Sequence, residues 1–418
     1  SPPDWSALER RHPLDRVTRT AGTRVTAHVT LYPLDERREA LPLVVERWPA
    51  GAKAAVVFTD HADRTDPAAL RAVMYGSSAE RGGEPRGFVG HGLRLTKTFF
   101  ARGGHGTLAD DAAARSLADA LVAGGSEVGD HSTTAHADVR GRVAAGLGVF
   151  APWHPATWID HEPYTNCEAI SSQGWNDMPP YGIRDLLIAG GYRWLWAATD
   201  VKSGGLDLFS GESPVIFPLP LDPRLWVFRS TWFAAPPVAL AHALREEALD
   251  DLERRRGLAV LHTYLSASPA TTPSAEHRRM LVVRSTADGA LVIDPAFDAM
   301  LARLARHAAG GRLVVAPWRA VGDRLRALDE AVVRYGRDGS AVIENRGASA
   351  LPALGISVPR GSVDLVSDGV PAFGRRAESD RTTIWLDLAA GARATLRATD
   401  GGVPVPFLPM TDVVVEAR

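Results

Sequence analysis

Between residues 40 and 330 the chain alternates short apolar runs with longer stretches of helical spacing. Ala54–Thr59 (AAVVFT) is apolar without interruption and ends in polar residues, the pattern of a strand buried on both faces. Asp66–Tyr75 opens with Asp-Pro, a helix-start signal. Lys97–Phe100 and Glu127–Gly129 read as short strands, and Ala109–Ala123 between them has helical spacing and a Gly-Gly stop. Tyr181–Ala189 reads as a helix, Tyr192–Ala198 as a strand, Pro237–Arg256 as one long amphipathic helix and Leu258–Leu265 as a buried strand. Asp294–Ala309 is helical again, followed by the strand Arg312–Ala316 and the helix Trp318–Leu328. Such alternation predicts parallel strands with helical crossovers, in a closed barrel or an open doubly wound sheet.

Near Asp329 the texture changes. Ala331–Tyr335, Ser340–Glu344, Leu354–Val358, Ser362–Val366, Thr382–Leu388 and Ala392–Ala398 are β-prone pieces separated by Gly, Pro and Asp, as in a small sandwich. The expected division is an N-terminal segment 1–50, a main α/β domain 51–329 and a β-rich domain 330–418. The alternating stretch Arg24–Leu31 suggests that the N-terminal segment adds an edge strand to the main domain.

Composition narrows the function classes. With 45% hydrophobic and 23% charged residues the chain has ample core, and its net charge of −2 argues against a polyanion-binding, nucleic-acid role. No apolar stretch approaches twenty residues, so no membrane span is expected. Cys167 is the single cysteine and has no intramolecular partner. A start at Ser1 without an initiator Met fits a processed chain, so a secreted or periplasmic location is expected ahead of a cytoplasmic one.

Three segments carry candidate chemistry. In Val56–Asp63 (VVFTDHAD) a hydrophobic strand delivers Asp60, His61 and Asp63 at its C-terminal end, the rim where parallel α/β folds build their sites. Glu127–His136 (EVGDHSTTAH) does the same with His131 and His136. Two imidazoles and a carboxylate form a common ligand set for catalytic zinc. The third is His262, inside LAVLHTYL. Each also has a purely structural reading: Asp60 as a turn or cap residue, the histidine pair as a loop feature, His262 as a core histidine.

Their order resembles the polysaccharide deacetylases of the NodB-homology group, carbohydrate esterase family 4. FTDHAD is similar to that family's first motif, EVGDHSTTAH to its second, and LAVLHTYL to its late strand ending in Leu-x-His. The resemblance spans about residues 50–325. It implies a distorted parallel (β/α) barrel and a divalent metal ion, zinc first among the candidates. It also implies His131 and His136 as ligands, Asp60 as the base for the attacking water and His262 as general acid. The activity so implied is deacetylation of an acetylated carbohydrate.

There are departures from the family. Four residues rather than three separate His131 from His136, and either His61 or Asp63 fits the acidic-side ligand. The family's base-orienting Arg-Pro pair has no clear counterpart. Instead Trp158–Tyr164 (WIDHEPY) offers Asp160 and His161, which replace that pair, add a ligand or form a solvated loop. Asp200 either orients His262 or makes a turn. Trp153, Trp158 and Trp175 are candidates for stacking on sugar rings, whereas Trp194 and Trp196 read as core. Gly90–Gly92 and Gly104–Gly106 suggest flexible loops near the rim. A glycosidase using Asp160 and Asp200, or a carbohydrate-binding protein with a decayed site, are the alternatives.

Overall fold

The computed structural model describes residues 25–27, 41–79, 86–177, 180–200, 206–210, 214–232, 235–336, 338–408 and 415–417. The strands of the main unit are β1 (Ala54–Asp60), β2 (Thr96–Phe99), β3 (Glu127–Asp130), β4 (Thr157–Trp158), β5 (Trp194–Asp200), β6 (Asp222–Trp232), β7 (Leu258–Thr263) and β8 (Leu313–Val315). Between and after them run α1 (Pro67–Tyr75), α2 (Ala112–Ala123), α3 (Arg140–Phe150), α4 (Arg184–Ala189), α5 (Pro237–Ala243), α6 (Glu246–Arg254), α7 (Pro295–Ala309) and α8 (Trp318–Leu328). None of these helices is long and apolar enough to cross a membrane.

Strands β1 to β7 pair in parallel in chain order, and β7 closes onto β1 along its whole length, from Leu258↔Ala55 to Thr263↔Asp60. The result is a closed parallel barrel, one of the two arrangements that the alternation allowed. The other edge of β1 is shared. β8 takes its lower half (Leu313↔Ala54) and β2 its upper end (Thr59↔Thr96), so the ring carries an eighth strand at one seam. Every residue of β1 is buried, as its unbroken apolar run requires.

Helix α1 shows how the sequence sets an element. Asp66 accepts from the Ala68 N–H at 2.9 Å, Pro67 occupies the first turn, and Gly76 ends the helix at φ 87°, a conformation that favours glycine. Leu70, Val73 and Met74 then face the barrel wall together with Leu117 and Leu121 of α2 and Phe297 and Leu301 of α7.

Several elements differ from expectation, α3 and β4 among them, which were not anticipated. The stretch 237–256 breaks at Leu244–Arg245 into α5 and α6, with Leu244 fully buried at the break. β6 was not anticipated, although Leu225–Phe228 (LWVF) is an apolar run of strand length; its hairpin partner Ile216–Leu219 pairs antiparallel with it.

Residues 17–53 and 323–418 form a second compact unit. Two antiparallel sheets enclose a core that includes Ile343, Leu354, Ile356, Leu386 and Leu396, in line with the sandwich pattern. The expectation that residues 1–50 pack on the main domain is corrected for residues 41–46, while residues 1–24 and 28–40 lie outside the described residues. Val44–Glu46 pairs antiparallel with Gly355–Ser357, and Leu41 and Leu43 belong to the sandwich core. Glu46 fixes the attachment: it is 2% exposed and accepts from the Ser357 hydroxyl and, at 3.2 Å, from Arg381. Of the stretch Arg24–Leu31, Val25–Ala27 pairs with Val415–Ala417, and the remainder lies outside the described residues. The division between the units falls at Gly322/Asp323, within α8 rather than after it.

Candidate metal centre

The C-terminal ends of β1, β3 and β4 each release a short loop into the same region of the barrel rim. After β1 the chain is pinned at once: the His61 N–H donates to the Thr263 carbonyl at 2.9 Å, Thr65 to Ala62 at 3.0 Å and Asp66 to Ser266 at 2.8 Å. This presents Asp63, whose Oδ2 lies 2.9 Å from His131 Nε2 and whose Oδ1 lies 3.0 Å from His161 Nε2. Ligand-capable atoms of His61, Asp63 and His131 all fall within 4.8 Å of one another.

Each residue bonded through Asp63 is followed by one in the left-handed region: Arg64 at φ 62°, Ser132 at 57° and Glu162 at 44°. A side chain there costs roughly 1–2 kcal/mol, so the three loops hold their turns against local preference. Ser132 also joins two of them, its hydroxyl accepting from the His161 N–H at 3.0 Å.

The electrostatics suit a cation. Burial works to raise Asp63, but the hydrogen bonds and charges of His131 and His161 outweigh it and hold the carboxyl far below the usual range. Burial, with His262 and His131 nearby, pushes His61 well down, and burial lowers His131 against the pull of Asp63. At His161 burial is overcome by Asp63, and the imidazole is raised. Neutral imidazoles beside an ionised carboxylate are the protonation states that metal ligands need. His61 Nε2 is buried and has no hydrogen-bond partner among the described residues. The residues present fit a divalent ion with nitrogen and oxygen ligands, such as zinc.

Around this cluster lie two residues that the motifs named, His262 and Asp60, and others that motif reading did not single out. Phe100 packs against His131 and His161, each with ring centroids 5.1 Å apart. Trp196, read as core, contacts His61 and His262 edge-on and anchors its indole N–H on Ser230 at 2.9 Å. His262 stacks on His61 with centroids 3.6 Å apart, and its Nε2 lies 3.1 Å from the Tyr264 hydroxyl. Asp60 is 1% exposed and its carboxylate accepts from the Leu265 N–H, the Ser266 hydroxyl and Lys97 Nζ, the last at 3.0 Å. Lys97 is fully buried and also donates to the His61 carbonyl at 3.1 Å and the Thr65 hydroxyl at 2.8 Å, so its three protons are used. A lysine inside an otherwise strand-like stretch was the available signal.

Other expected residues lie apart. His136 is exposed, because Asp138 accepts from the Thr134 N–H at 3.0 Å and from its hydroxyl at 2.9 Å and turns the chain outward. His161, one of whose open readings was an added ligand, stands on Asp63 instead. Asp160 is 2% exposed and fixed by the Trp158 indole N–H at 2.6 Å and the Ile170 backbone N–H at 3.0 Å.

The proposed sugar platform is not formed by these tryptophans. Trp158 is fully buried, Trp153 is tied to Asp119 of α2 at 2.8 Å, and Trp175 packs on an outer core and donates to the Ser172 carbonyl. Asp200 ends β5, and its side chain lies outside the described residues. Gly90–Gly92 precedes β2 and so is not at the rim; His91 bonds Asp298 at 3.0 Å. Gly104–Gly106 follows β2, with His105 3.0 Å from Asp111.

No family model matches the chain, and no curated protein matches it. Among solved structures it is similar to a crystal structure of Puue allantoinase, at 14% identity and a TM-score of 0.38, over 67% of this chain and 93% of that one.

Proposed function

We propose that this chain is a metal-dependent hydrolase of an acyl bond, an amide or an ester, with a divalent ion held by His61, Asp63 and His131, Asp63 being oriented by His161 at its other oxygen. One observation carries the reading: among the described residues His61 Nε2 is buried without a partner, beside a carboxylate that gathers two further imidazoles. A divalent ion in such a set supplies Lewis acidity and makes water a nucleophile near neutral pH. Zinc suits the donors.

The chain's own residues divide the remaining work. Asp63 sets the negative charge and orients His131 and His161. His262 moves protons at Nε2, through its hydrogen bond to Tyr264, toward the attacking and leaving groups. Asp60 takes a different part from the one its motif suggested. Three donors on a buried carboxylate leave little capacity for a water proton, so Asp60 is assigned as a positioning residue that holds the loops after β1 and β7. The motif resemblance alone points to an acetylated carbohydrate, a substrate to which the observed geometry adds no support. A glycosidase reading loses its support because both Asp160 oxygens are engaged inside the fold.

The test is chelator-sensitive release of the acyl acid. Hydrolysis should fall at least about 100-fold in His262→Gln with metal content intact. An Asp60→Asn chain that folds, keeps its metal and loses hydrolysis to the same degree would restore Asp60 as the base. Hydrolysis that persists after the metal is removed would sink the whole reading.

A further inference from the structure

Beside Asp63 the rim opens into a cavity of about 190 Å³. Asp63, Arg64 and Tyr264 line it on the side of the proposed metal centre, and Leu240, Leu265, Met280 and Val282 are among its apolar residues. Leu240, Leu265 and Val282 belong to the barrel's buried core, so that wall is fixed by packing. Met280 is half-buried at the outer side, and its flexible thioether adapts to what lies against it.

The size and chemistry of this space point away from an acetyl group. An apolar cavity of about 150 Å³ accommodates a benzene ring, whereas an acetyl group brings one methyl. Nor does the lining suit the many hydroxyls of a sugar. Thr263 already donates its hydroxyl to the Thr59 carbonyl at 3.0 Å, and both Asp63 oxygens are bonded to imidazoles. The remaining polar lining is Arg64, His277 and Thr272, the last 1% exposed with an Oγ1 that has no partner among the described residues.

We propose that this cavity is the acyl pocket of the site, and that the substrate carries a linear acyl chain of about six carbons rather than acetyl. The inference rests on the acyl-hydrolase reading above. The apolar wall then selects by burying methylenes next to the reacting carbonyl, and the leaving group stays on the open side.

The experiment uses the purified full chain, loaded with zinc, and p-nitrophenyl esters from acetate to decanoate. kcat/KM should rise about threefold to fourfold per added methylene up to roughly hexanoate and then level off. Met280→Trp should shift the optimum toward acetate. Thr272→Val should leave the chain-length preference in place. Acetate as the best wild-type substrate, an optimum unmoved by Met280→Trp, or a preference abolished by Thr272→Val would each overturn the pocket assignment. Calorimetric titration with hexanoate and acetate separates this inference from the reading it rests on. Hexanoate binding at least tenfold tighter than acetate, lost in Met280→Trp, supports the pocket even if no ester is turned over. Equal binding of the two acids overturns it.

Discussion

Asp63 is the residue on which the proposed centre turns, since its two oxygens gather imidazoles from two different strands. Its neighbourhood was partly legible in the sequence. Asp63 and His131 stand directly after strand-like runs, and a strand that stops at the rim can place its next residues in only a few ways. His136 misled because a turn closed on Asp138 reverses the chain, and that depends on a hydrogen bond rather than on spacing. The tryptophans misled because loop-like sequence says nothing about which side of the barrel a ring covers.

Away from the centre, Glu168 makes a residue-scale prediction. It is buried, its Oε2 accepts from the Asp138 N–H at 3.0 Å, and burial raises its pKa from 4.5 to about 7. Between those values the folded chain binds more protons than the unfolded one. Its contribution is therefore present in full below about pH 4.5 and is lost as pH rises to about 7, by up to about 3 kcal/mol. Glu168→Gln should gain thermal stability over wild type between pH 5 and pH 8. A Tm difference independent of pH would contradict the cause given.

At the scale of elements, one buried ion pair and its hydrogen bonds tie three strands together. Lys97 comes from β2, Asp60 ends β1, and Leu265 and Ser266 follow β7. Removing one partner of a buried pair costs about 3–5 kcal/mol, because the other charge stays desolvated. Lys97→Met should lower the urea midpoint accordingly, and adding Asp60→Asn should recover part of the loss. Additive losses in the double variant would show that the two side chains are not coupled. Helix α1 offers a smaller test: Asp66→Ala should cost about 1 kcal/mol through its lost cap, and no change in the midpoint would remove the cap from the account. The Asp-Pro start and the Gly stop of α1 could be read directly. The break between α5 and α6 could not, since it follows from turning Leu244 inward, a tertiary effect that overrides helical spacing.

For the whole molecule, the apolar runs foretold a parallel α/β unit and the short β pieces a separate sandwich, because burial on two faces and on one face leave different patterns. What the runs did not carry was partnership. Val44–Glu46 is near the main unit in sequence, yet its register is set by Gly355–Ser357 and by Glu46's bonds to Ser357 and Arg381. Glu46→Ala should therefore lower the unfolding temperature of the sandwich unit in calorimetry and leave the barrel transition in place. A lowered barrel transition with the sandwich unaffected would reverse the assignment.

The central claim, that His61, Asp63 and His131 hold a divalent ion, is tested most directly by measuring metal per chain by mass spectrometry. The account predicts about one ion per purified wild-type chain, lost in Asp63→Asn and His131→Ala and retained in His136→Ala. An ion that survives Asp63→Asn, or one that disappears in His136→Ala, would contradict it.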